Sequence, residues 1–171
     1  MLSERLHYTP LKADDLPAFH ALITDEYVLR YMMDGKLMTE EWTSARIRDS
    51  EALFAQRGVG VWLARTRDTG ELVGFCGFFQ FDPPEAEPQL NYALFGRFAG
   101  RGYATEMGRA AIAFAAGRGF TQIIAEADEV NSASLLVLGK LGFVRVEMRQ
   151  GAFGNMPRLR LTLGGPGRDR A

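Results

Sequence analysis

The chain has 171 residues, a formal net charge of -1 and a pI near 6.1. That length fits one ordinary domain with a sizeable core, read as residues 1-163, followed by a flexible tail over 164-171. The charge balance excludes a chain dominated by a basic nucleic-acid-binding face, and no apolar run approaches the roughly 20 residues that span a bilayer. One cysteine excludes an internal disulfide, and Cys76, inside LVGFCGFF, reads as a small buried hydrophobe rather than a nucleophile. No charged segment leading into an apolar stretch opens the chain, so a cytoplasmic protein is expected.

Leu6 to Leu11 alternates loosely and predicts a first strand. Asp14 or Asp15 caps the helix behind it, with Pro17 in a first turn where a missing N–H costs nothing. Leu16, Phe19, Leu22 and Ile23 recur on that helix at helical spacing. Asp25 to Met33 predicts a second short helical piece. Thr39, with Glu40 and Glu41 behind it, starts a longer one that runs to about Gln56 and is stopped by Gly58. Val59 to Arg65 and Leu72 to Phe81 read as antiparallel strands joined by the turn Arg67 to Gly70. Asp82 to Pro88, DPPEAEP, is a loop that no helix crosses. Gln89 to Phe95 is the next strand. The helix from Tyr103 to about Ala116 carries Ala104, Met107, Ala111, Phe114 and Ala115 on one face. Thr121 to Asp128 is a strand, Asn131 an N-cap, and Ser132 to Leu141 a helix stopped by Gly142. Phe143 to Met148 and Arg158 to Leu163 form a closing hairpin across a loop from Arg149 to Pro157. His7 and His20 each fall inside a predicted element, so no metal or triad constellation is expected.

The informative stretch is RFAGRGYA, Arg97 to Ala104. Gly100 and Gly102 lack a Cβ, so their amides can approach a bulky anion and adopt backbone angles closed to other residues. A helix starts at once behind them, with unpaired amides and partial positive charge at that end. Arg97 and Arg101 add guanidinium groups, whose planar donors suit phosphate oxygens. A bare GxG also serves merely to reverse the chain, so the turn alone leaves both readings open.

This stretch resembles the acyl-CoA motif Q/R-x-x-G-x-G/A of the GCN5-related N-acetyltransferase (GNAT) superfamily. NSASLLVLGKLGF, Asn131 to Phe143, is similar to that family's N-x-x-S/A... K-L-G-F segment, and Arg5 to Met32 resembles the opening of its ribosomal-protein alanine acetyltransferase branch. The resemblance covers Arg5 to Leu163. It implies an α/β fold with a mixed, mostly antiparallel central sheet flanked by helices. It also implies acetyl-CoA as cofactor, held by Leu94, Phe95, Arg97, Gly100, Arg101, Gly102, Tyr103, Ala104, Asn131 and Lys140. The strand before the turn is expected to part from its neighbour, with an amide from about Ala93 to Phe95 facing the thioester carbonyl. Tyr27, Tyr31, Met32, Met33 and Trp42 would touch the acceptor, or else belong to the core. Ser134 is implied as the acid, unless it only bonds nearby backbone.

The departure from the family lies in the base. Relatives carry glutamate in E-L-G-Y, and this chain has Gln89-Leu90-Asn91-Tyr92; Leu138 stands where a tyrosine is common. Glu126, Asp128 or Glu87 could replace the missing base, Glu126 and Asp128 lying on one strand face. Without any base, an α-amine, with a reference pKa of about 7.7 to 8.0, is a better acceptor than lysine at about 10.4. The implied partners are acetyl-CoA and an amine on a protein N-terminus or small molecule, with no nucleic acid, no membrane and room for a homodimer. A non-catalytic acyl-CoA sensor is the rival. A P-loop nucleotidase lacks its GKS or GKT.

Overall fold

The computed structural model describes residues 1–33, 35–79, 87–151 and 153–164. In chain order these form β1 (Leu6–Pro10), α1 (Leu16–Ile23), α2 (Glu26–Met32), α3 (Glu40–Arg57), β2 (Val61–Thr66), β3 (Leu72–Phe78), β4 (Leu90–Leu94), α4 (Tyr103–Gly117), β5 (Gln122–Glu126), α5 (Ser132–Lys140), β6 (Val144–Gly151) and β7 (Gly154–Thr162). Local chemistry sets the helix ends. The Asp25 carboxylate accepts from the Tyr27 amide, the Thr39 hydroxyl from Trp42 and the Asn131 carboxamide from Ser134. Gly58, at φ +70°, closes α3 in the left-handed conformation.

The strands form two antiparallel sheets, ordered β1-β2-β3-β4 and β5-β7-β6. Among the described residues a single parallel bridge, between Gln89 and Ile124, joins them, and the Ile124 amide donates to Pro88 O at 3.0 Å. Alternation along β2 feeds two cores. Val61 and Leu63 pack with Phe75 beneath Phe19, Leu22, Ile23 and Ile47 of α1 and α3. Trp62 and Ala64 join Val73, Cys76 and Phe78 against Met107, Ala111 and Ala115 of α4 and Leu138 of α5. Gly108 lies where α4 meets the α5 end, and a Cβ there would come 2.5 Å from a Leu141 methyl, which would have to turn aside.

The closing hairpin is longer than the sequence reading. The predicted loop from Arg149 to Pro157 is mostly strand, with Met148 opposite Pro157 and Gly151 opposite Gly154. Pro157 is tolerated because of where its nitrogen points. Leu163 N and Asn155 O both bond toward the β5 side, so Pro157, of the same parity, faces that side too. The β5 ladder ends at Glu126–Arg158, so the missing N–H breaks no pair there. The predicted third strand stops at Phe78, and its last two residues, the loop through Ala86 and the tail from Gly165 lie outside the described residues.

Candidate active site

Beyond the Gln89–Ile124 bridge no further ladder joins β4 to β5 among the described residues, and a cavity of about 320 Å³ opens between them. Asn91, Tyr92, Ala93 and Leu94 line one wall, Ala125 to Asp128 the other, with Tyr27 and Tyr31 of α2 and Ser134 of α5 around the mouth. Ladder parity decides which β4 groups face this gap. The Phe95 amide donates to Val73 O at 3.1 Å, so Asn91, Ala93 and Phe95 bond to β3. Tyr92 and Leu94 therefore turn their amides to the open edge. Of the expected carbonyl donors from Ala93 to Phe95, Leu94 has its amide on that edge, while the Phe95 amide is already used.

The turn behind β4 is shaped by backbone. Gly100 and Gly102 sit at φ +73° and +82°, values that suit glycine. A Cβ on Gly100 would meet nothing within 4 Å, which leaves open space above the turn, and Gly100 and Ala104 both line the cavity. The first helical hydrogen bond of α4 runs from Glu106 N to Gly102 O, so the amides before it remain available. The two arginines of the turn also have partners within the chain. Arg97 pairs with Glu71 at 3.1 Å and stacks on Phe95 and Phe98, while Arg101 lies over the Phe98 ring at 5.9 Å.

The side chain that does hold the turn is Arg5, which sequence reasoning missed. Its Nη1 donates to Arg101 O at 3.0 Å, Nε and Nη2 reach Glu106 Oε2 at 2.8 and 2.7 Å, and its guanidinium covers the Tyr103 ring at 4.2 Å. Burial opposes ionisation of Glu106, but donation from the Arg5 amide, the Ser3 hydroxyl and the Arg5 guanidinium outweighs it and holds the carboxyl below its usual range.

On the opposite wall, Asn131 caps α5 and its Nδ2 donates to Tyr31 O at 3.4 Å, tying α5 to α2. Ser134 Oγ lies 2.9 Å from the Tyr92 hydroxyl, which also donates to Ser134 O at 3.2 Å. Burial pushes the Tyr92 phenol up to about 12, against a smaller opposite effect of the Ser134 bond. Period-two alternation along QLNYAL could have found Tyr92, since it shares a face with Leu90 and Leu94. Lys140 is exposed in the last turn of α5.

The three candidate carboxylates differ. Glu126 Oε1 accepts from Arg158 at 2.9 Å and from Arg149 at 3.1 Å. Glu87 lies outside the cavity lining, 3.7 Å from Arg160. Asp128 lines the cavity, and its Oδ1 occupies the space that a Cβ on Gly151 would need. Of the acceptor candidates, Tyr31 lines the cavity and meets Tyr27 edge-on at 5.0 Å. Met33 and Trp42 pack instead against the α1–α3 core, Trp42 beneath Arg46. Among the described residues no group of His, Cys, Asp and Glu could hold a metal ion, and no helix is long and apolar enough to cross a membrane.

A family model described as an acetyltransferase (GNAT) domain matches residues 5–144. The chain belongs to the GNAT family. It is 32% identical over 136 residues to the uncharacterized protein YkkB of Bacillus subtilis (strain 168), covering 75% of each chain. Its fold is similar to that of a GnaT-family acetyltransferase from Bordetella pertussis, with a TM-score of 0.81 at 21% identity over 94% of this chain and 97% of that one. The ribosomal L7/L12 alpha-N-protein acetyltransferase RimL, solved with coenzyme A, aligns with a TM-score of 0.81 at 18% identity over 95% and 97%.

As a GNAT enzyme the protein is an N-acetyltransferase that uses acetyl-CoA. The residues present fit that molecule. The space over Gly100 admits a phosphate without a Cβ in the way, α4 begins three residues on with its first hydrogen bond only at Glu106 N, and the β4 edge turned from β3 has the hydrogen-bonding pattern that an extended pantetheine arm requires.

Proposed function

We propose that this GNAT enzyme transfers acetyl directly to an α-amine of low pKa, on a protein N-terminus or a small molecule. The observation that carries this reading is the state of the carboxylates around the cavity. Gln89 cannot accept a proton, and Glu126 Oε1 already accepts from two guanidinium groups. An acceptor that is substantially neutral near pH 8 needs no dedicated base. RimL, similar in fold, is described as an alpha-N-protein acetyltransferase, which agrees with an α-amine.

Acetyl-CoA supplies an activated carbonyl and a leaving thiolate, whose reference pKa is about 8.5. The chain provides the surroundings. The α4 amides bind phosphate oxygens, with Gly100 and Gly102 setting their direction. The Leu94 amide, on the open edge of β4, donates to the carbonyl oxygen as charge develops on it. Tyr27 and Tyr31 wall the acceptor side, and the Ser134 hydroxyl supplies the proton that the sulfur takes on leaving.

The test is an amine panel with acetyl-CoA, followed by free thiol release. Peptides and small molecules with a free α-amine should turn over well above background hydrolysis, and the same peptides blocked at the N-terminus but carrying lysine should not. Faster turnover on lysine than on any α-amine would overturn the reading.

A further inference from the structure

We propose that Tyr92 and Ser134 act as one proton-delivering unit, in which Tyr92 fixes the Ser134 hydroxyl as a donor into the cavity. The inference rests on the reading of Ser134 given above and goes beyond it, because it assigns a second residue. The two hydroxyls, 2.9 Å apart, can be arranged in two ways. If Ser134 donates to Tyr92 while Tyr92 donates to Ser134 O, 3.2 Å away, the two hydroxyl protons are both turned away from the cavity. If Tyr92 donates to Ser134 Oγ instead, the Ser134 proton is free to point into it. Tyr92 therefore decides whether the serine can act.

The surroundings hold this pair in place. Ser134 sits in the first turn of α5, its amide bound to the Asn131 cap at 3.1 Å, so its backbone cannot drift. Tyr92 reaches it from β4 across the layer that holds Leu90 and Leu94, and both residues line the cavity. The partly buried phenol, its ionisation opposed by desolvation, keeps its proton near neutral pH and so remains a donor.

The proton count balances. As the nitrogen–carbon bond forms and the carbon–sulfur bond breaks, sulfur takes the Ser134 proton and Ser134 takes the Tyr92 proton. Tyr92 recovers one from water, which has received the proton given up by the amine nitrogen. Nothing is oxidised or reduced, and both hydroxyls end as they began.

The experiment is a double-mutant cycle on the full chain with acetyl-CoA and the best amine of the panel. Tyr92→Phe and Ser134→Ala should each lower kcat by about 10²-fold with little change in the KM for acetyl-CoA, and the double variant should fall no further than the worse single. Circular dichroism and CoA titration calorimetry confirm that each variant is folded and binds. Replacing Tyr92 by 3-fluorotyrosine, a more acidic phenol of nearly the same shape, should move the alkaline limb of the kcat profile to lower pH, which a packing role would not do. A silent Ser134→Ala overturns the serine reading together with this unit. A damaged Ser134→Ala beside a silent Tyr92→Phe, or losses that multiply in the double variant, leaves the serine reading intact and overturns the unit.

Discussion

The two walls of the cleft are made of different material. The β4–α4 wall offers backbone: an unpaired strand edge, two glycines at positive φ and the open end of a helix. The wall built by β5, α5 and the β6–β7 hairpin offers side chains, with Ser134 held by Tyr92 and Glu126 held by Arg149 and Arg158. A backbone wall binds what every substrate pair has in common, and its geometry survives most side-chain changes. A side-chain wall carries the chemistry and the choice of acceptor, and can be altered one residue at a time. Catalytic variation in this chain is therefore expected chiefly on the second wall and binding failure on the first, with Tyr92, whose side chain reaches from β4 to Ser134, as the exception.

The largest test of that contrast is Gly102→Val against Arg97→Ala. A β-branched residue at φ +82° costs about 1 to 3 kcal/mol of strain, relieved by distorting the turn, so CoA affinity should fall by about 5- to 150-fold. Arg97 is half-exposed and occupied with Glu71, so its loss should cost less than about fivefold. Calorimetry with CoA reads both, and the contrast breaks if the arginine matters more than the glycine.

A middle-sized effect sharpens the other wall. Glu126→Gln and Glu87→Gln should leave kcat/KM within about threefold of wild type, and the rate should rise with pH until the acceptor amine is deprotonated. Asp128→Asn is the informative partner. A loss of about 10²-fold or more in that variant alone, with folding and CoA affinity intact, would mean that a carboxylate base exists and the α-amine argument fails. Gln89→Glu, by contrast, should raise activity at neutral pH only if β4 still aims that side chain at the amine.

The smallest effect concerns stability. The Tyr92 phenol is raised from 10.0 to about 12 in the folded protein, because burial disfavours its ionised form. The unfolded chain therefore loses this proton first. The stability tied to it is complete below pH 10 and is lost as pH rises toward 12. Tyr92→Phe should flatten that decline in denaturant titrations, although buried Tyr8, whose phenol is also raised, leaves part of it in place.

What the sequence made legible follows the same division. Thr39, Gly58 and Asn131 act on neighbours three or four residues away, so their caps could be read locally, as could the glycine turn, where only backbone conformation was at stake. Contacts between distant positions were not legible. Arg97 was read as a phosphate ligand from its place in the turn, and nothing nearby revealed that its guanidinium also meets Glu71, just ahead of β3. Arg5 was invisible for the same reason, with its partner 101 residues away. Pro157 misled in the opposite direction: the residue usually breaks a strand, and whether it does depends on where the neighbouring strand ends. Alternation over the predicted strand singled out Glu126 and Asp128, but β5 ends at Glu126, and the arginine partners of Glu126 come from the hairpin, whose extent the proline had hidden.

The Arg5 clasp ties two events together. Because Arg5 grips both Arg101 O and Glu106, the segment before β1 and the cradle share one energetic fate, and any free energy that ordering one lends to the other must be returned in equal measure. Filling the cradle should then tighten the front of the chain, so that hydrogen exchange shows slower amides from Ser3 to Tyr8 and limited proteolysis finds that segment harder to open. Loosening the front, by a bulky fusion or by cutting ahead of Arg5, raises the concentration of cofactor needed to fill a pocket that none of those residues lines.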